Sequence, residues 1–197
     1  MVGGNVHGRG GLRVARLVLV GLATATVVAC SSNSTSTPGG TTGVPGSSSP
    51  TSAPPSPVSP ADSARQRATA AYAGMWQAMV KAGETSDWQS PELAKYATGD
   101  ALGVITRSLY TDHLNGVVTK GAPLINPQVS SVDPQDNPTT VMISDCGDST
   151  NSLKYKKDGQ LLNDTPGGKR AITAEVKKQP DGSWRVTRFA VEGLGSC

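Results

Sequence analysis

Between Ser31 and Pro60, 26 of 30 residues are Ser, Thr, Pro or Gly, seven of them proline, and none carries a charge. Such a stretch cannot bury enough apolar surface to offset the conformational entropy of ordering it. Nor does the chain ahead of it offer core material: all eight aromatic residues lie between Tyr72 and Phe189. Of 197 residues, only 60–197 can therefore build a hydrophobic core, a length suited to a single domain. Residues 30–59 read as a disordered linker, spanning from ~30 Å as a coil to ~90 Å fully extended.

What precedes the linker reads as an export signal. Arg9, Arg13 and Arg16 form a positive region, and Leu17–Ala29 forms an apolar run of 13 residues. That is signal-peptide length, well short of the roughly 20 residues of a membrane-spanning helix. The run ends in Val27-Val28-Ala29-Cys30, which resembles a bacterial lipobox. The resemblance implies cleavage after Ala29, so that residues 1–29 are a lipoprotein signal peptide and Cys30 carries the lipid. Two long acyl chains suffice for stable anchoring. The alternative is ordinary secretion, since Val27 and Ala29 also suit a small-residue cleavage site. Cysteine parity argues against that: acylating Cys30 leaves Cys146 and Cys197 as a pair, whereas sparing it strands a reactive thiol. The expected location is the extracytoplasmic face of the cell membrane.

Beyond residue 29, 15 basic residues face 15 acidic ones, and this neutral balance argues against nucleic acid as a partner. Lys154, Lys156 and Lys157 read as a solvated strand face. The domain itself opens on a capping box, with Ser59 at N-cap, Pro60 at N1 and Asp62 at N3. Ala68, Tyr72, Met75, Trp76, Met79 and Val80 recur at helical spacing until Gly83. Ser90-Pro91-Glu92 begins a short second helix. Thr98 is placed to cap a third, with Leu102, Ile105 and Leu109 on one face and Gly116 at its end.

From Gly116 the period becomes that of strands, in GVVTKG, PQVSSVD, TTVMISDC, SLKYKK, RAITAEVKK and SWRVTRFAV. Asp158-Gly159 and Pro180-Asp181-Gly182 supply hairpin turns. Three helices followed by five or six antiparallel strands predict an α+β domain whose curved sheet wraps the first helix. This order resembles the NTF2-like cone shared by ketosteroid isomerase and SnoaL-type cyclases. The layout as a whole, with ELAKYATGDAL, GVVTKGAP and ISDCGDST, is similar to that of actinobacterial lipoproteins with a small cone domain. In such a domain Cys146 and Cys197 would pair, closing a loop worth about 4 kcal/mol in the chain-entropy account. Thiol catalysis is the alternative for these cysteines, but no CxxC and no neighbouring His accompany them.

Candidate chemistry is sparse. His113, the single histidine after residue 29, sits at a helix end where the dipole favours it. Asp145 and Asp148 flank Cys146 and are the first choice for a functional pair, as acid/base groups or as calcium ligands with Asn151. The spacing does not match an EF-hand, and an Asx turn accounts for the same residues. TPGGKR fails as a phosphate loop because Arg170 replaces the magnesium-binding hydroxyl. Tyr72, Trp76 and Met79 are cavity wall or core. No metal or cofactor signature is present, and no catalytic residue of the resembled enzymes maps onto the chain. The expectation is a lipid-anchored envelope protein whose domain binds a partner protein or a small apolar ligand without catalysis. The alternatives are an isomerase- or cyclase-type cavity enzyme using a buried carboxylate, and a structural accessory of an envelope complex.

Overall fold

The computed structural model describes residues 58–162 and 167–197. Cys30, the signal segment and nearly all of the linker lie outside the described residues. The domain begins with α1 (Pro60–Gly83), a helix of 24 residues. Ser59 caps it as the sequence predicts: its Oγ accepts from the Asp62 N–H at 3.1 Å and donates to Asp62 Oδ2 at 2.7 Å. Then come α2 (Pro91–Tyr96) and α3 (Gly99–Leu114). Thr98 stands at the N-cap of α3, but its side chain caps nothing. Its N–H instead donates to the Val186 carbonyl at 2.9 Å, tying the helix start to the sheet. Among the described residues no helix is long and apolar enough to cross a membrane.

All six expected strands form: β1 (Val117–Lys120), β2 (Gln128–Asp133), β3 (Thr140–Asp148), β4 (Leu153–Lys156), β5 (Lys169–Lys178) and β6 (Trp184–Val191). They divide into two antiparallel sheets. Strands β2-β3-β5-β6 make the main one, and β1 pairs with β4 in a small second one. The β4 segment is thus an excursion between β3 and β5, returned by the Asp158-Gly159 turn, where Gly159 has φ +88°. The other expected turn, Pro180-Asp181-Gly182, joins β5 to β6 with Gly182 at φ +81°.

Register shifts between Val129 and Ser131 in β2, and opposite Glu175/Val176 where β6 carries an extra residue, mark the bulges that curve a sheet. The sheet packs its inner face on α1, which touches β2, β3, β5, β6 and the small sheet's β1. Val141, Ile143, Ala174, Val176 and Val186 come inward from the strands to meet Ala68, Tyr72 and Met75 of α1, all at most 1% exposed. The domain is thus the α+β arrangement expected, helices first and a bent antiparallel sheet around the longest one.

Candidate functional site

Two inward strand positions set the geometry. Burial alternates along β3, so Val141, Ile143, Asp145 and Gly147 share the inner face while Asp148 turns away. The proposed Asp145/Asp148 pair is therefore not assembled. Three residues apart on a strand, the two carboxylates leave opposite faces. Asp148 is the Asx turn foreseen as the alternative to a calcium site. Its Oδ1 accepts from the Thr150 hydroxyl at 2.6 Å and from the Thr150 N–H at 2.9 Å, and these bonds hold its carboxyl below the usual range.

Asp145 is buried at 7% exposure, and both its oxygens are occupied. Oδ2 accepts from the Tyr72 hydroxyl at 2.9 Å and Oδ1 from the Asn126 N–H at 2.8 Å. Burial, above all, pushes the Tyr72 phenol well above its ordinary value, and the neighbouring Asp145 adds to the rise. The Trp76 indole N–H works the other way from nearby, yet it does not reach hydrogen-bond geometry and, among the described residues, is buried without a partner. Tyr72, Asp145 and Asn126 together bind α1 to β3 and to the loop before β2. They form a structural clasp, since neither Tyr72 nor Asp145 reaches the cavity described next.

That cavity, of about 250 Å³, opens between the C-terminal halves of α1 and α3, the small sheet, and the ends of β3, β5 and β6. Trp76, Met79, Ile105, Leu109, Ile125 and Ile172 supply most of its apolar wall. Of the three residues read as cavity or core, Tyr72 is core, whereas Trp76 and Met79 line the cavity. Trp76 is held there edge-on between Tyr72 and Phe189, with ring centroids 6.3 Å from each. Polar groups gather at the mouth. Lys154 Nζ meets Asp112 Oδ1 at 2.8 Å, clamping α3 to β4. On β5, Arg170 donates to the Glu192 carbonyl at 3.2 Å.

Asp112, Gly147, Lys154 and Arg170 were not singled out as site residues from the sequence. A signal for Arg170 did exist, because in RAITAEV it alternates with Ile172, Ala174 and Val176, the buried face of β5. Lys154 had none, as its inward role depends on which strand pairs with β1. His113 is exposed, on the far side of α3 near Trp88 and Tyr110, away from the cavity mouth. Among the described residues no group of three or more His, Cys, Asp or Glu side chains is placed to hold a metal ion.

The expected disulfide is present: Cys146 and Cys197 are joined, with their Cα atoms 5.9 Å apart. It draws the C-terminal tail across β5, where Gly195 N–H donates to the Lys169 carbonyl at 2.8 Å and Ala171 N–H donates to Ser196 Oγ at 2.7 Å.

No protein-family model matches the chain. A search of curated proteins finds no significant match. Among solved structures, the chain is similar to a Catenulispora acidiphila protein in complex with S-DNPA, at 16% identity and TM-score 0.43, over 66% of this chain and 92% of that one. It is also similar to a ketosteroid isomerase-like protein from Erwinia carotovora atroseptica, at 13% identity and TM-score 0.36, over 64% of this chain and 92% of that one. The intermembrane space region of chloroplast protein ARC6 matches at 16% identity and TM-score 0.37, over 68% and 98% of the two chains. Likenesses this distant say nothing of activity, and the functional reading rests on the cavity alone.

Proposed function

We propose that this protein is a lipid-anchored binding module of the cell envelope, tethered through Cys30 and its Ser/Thr/Pro/Gly linker, whose domain holds a small, mainly apolar molecule. The observation that carries the reading is the 250 Å³ cavity with its aromatic and aliphatic wall. Concave apolar sites with a few convergent polar groups are the usual form of small-molecule sites. A cavity of this size suits a ligand of about ten non-hydrogen atoms, scaled from the ~150 Å³ that accommodates benzene.

Isomerase- or cyclase-type chemistry at Asp145 lacks the same support. A general base must reach its substrate within hydrogen-bond distance, and Asp145 is sealed behind Tyr72 with both oxygens engaged. The test is native mass spectrometry of the oxidised protein purified from an envelope that anchors it. An added mass that leaves on denaturation is expected. A bare protein mass from several preparations, together with no uptake from an envelope lipid and metabolite extract, overturns the reading.

A further inference from the structure

The charges at the cavity mouth are uneven. Lys154 is paired with Asp112, so that couple contributes no net charge. Arg170 is different. Among the described residues it forms no ion pair, and its only hydrogen bond goes to a main-chain carbonyl. A guanidinium carries five N–H donors in a rigid fork, matched to the two oxygens of a carboxylate.

Its surroundings leave room for one. The residue opposite Arg170 across the β3–β5 ladder is Gly147, which places no side chain on the inner face. A Cβ there would lie 2.7 Å from Ile172 Cδ1, so the place of the missing side chain is taken up by Ile172, itself part of the cavity wall. Arg170, Ile172 and Ile125 nonetheless line the same cavity, so the charged residue and the apolar wall border one space. At the half-buried mouth an anionic head keeps part of its hydration, which lowers the cost of burying the rest of the molecule.

We infer that the cavity selects an apolar carboxylate of about ten non-hydrogen atoms, with its chain or ring against Trp76, Met79 and Ile172 and its carboxylate on Arg170. This rests on the small-molecule reading above and adds to it the charge of the ligand and the residue that recognises it. The tail supports the arrangement. Arg170 is steadied by Glu192, and the following residues are fastened to β5 and, through Cys197, to β3.

Octanoate and octanamide test this at pH 7, because they share size and shape and differ in charge. Each is titrated calorimetrically into the oxidised full chain in lipid nanodiscs, with empty nanodiscs as the reference. Octanoate is expected to bind about tenfold more tightly, the scale of a charge-assisted hydrogen-bonded pair at a partly solvated site. Arg170→Gln should erase that preference while leaving octanamide binding within about twofold, which also shows that the variant is folded. Equal affinities in the unaltered chain, or an octanoate preference that survives Arg170→Gln, overturn the carboxylate inference while the cavity reading stands. Binding of neither probe overturns both.

Discussion

Tyr72 shows how one hydroxyl can matter structurally in a region that could be mistaken for a reaction centre. Removing it by Tyr72→Phe leaves Asp145 Oδ2 buried without its donor. We expect a loss of about 2 kcal/mol in urea unfolding. Octanoate binding should stay unchanged, because Tyr72 does not line the cavity. A loss below about 0.5 kcal/mol would show that water replaces the phenol and that the clasp is weak. Glu175, on the outer face of β5, makes a second prediction. Arg188, then the Thr187 hydroxyl and Lys177, hold its carboxyl down at about 2, against an ordinary glutamate value of 4.5. The folded value is depressed, so its contribution to stability is complete above pH 4.5 and drains away as pH falls toward 2. Acid unfolding followed by circular dichroism should therefore be less steep across that window in Glu175→Gln. Identical profiles would place the acid sensitivity elsewhere.

At the scale of elements, two helical glycines look alike in sequence and differ in what faces them. A Cβ at Gly74 in α1 would fall 2.4 Å from Tyr96 Cε1, so this glycine is what lets the α2 tyrosine lie on α1. Nothing stands within 4 Å of the corresponding atom at Gly103 in α3. Gly103→Ala should accordingly stabilise the protein by up to about 1 kcal/mol through helix propensity. Gly74→Ala should destabilise it by about 1 kcal/mol or more, because displacing the ring outweighs the same gain. Opposite signs in thermal unfolding are the readout. The disulfide acts on another element, the tail. Cys146→Ser with Cys197→Ser removes a cross-link closing 51 residues and is expected to cost about 4 kcal/mol in the chain-entropy account. It should also weaken octanoate more than octanamide, because the tail that steadies Arg170 is then free to fray.

For the whole molecule, the proposed role needs the domain to be held at a membrane by something outside the domain itself. Cys30→Ala is expected to abolish incorporation of labelled palmitate and to leave the protein in the aqueous phase of a detergent partition. Palmitate labelling that persists in this variant would remove the anchor from the proposal. The cavity also belongs to this scale, since its wall draws on two of the three helices and on both sheets. Its apolar lining comes from α1, α3, the β1–β2 loop and β5, and its charged mouth from α3, β4 and β5.

Local physics makes much of this domain legible in its sequence. The cap at Ser59, the helical spacing from Ala68 onward, the change of period at Gly116 and the two glycine turns are near-neighbour effects, and each appears where the residues imply it. The disulfide followed from cysteine parity and the cone resemblance. Other features turned on contacts between distant residues. Period-two alternation put Asp145 on the buried face, but only the packing of α1 against β3 decided that the Tyr72 hydroxyl would occupy one of its oxygens. Alternation likewise turned Arg170 inward, while the β3–β5 register decided that it would face a glycine and not a side chain. Lys154 left the solvated face assigned to it because β4 paired with β1 and met Asp112, 42 residues earlier in the chain. Which elements form is written in neighbouring residues. Which side chains share a cavity depends on how far-apart segments pair, and that is set by the energy of the whole packed core.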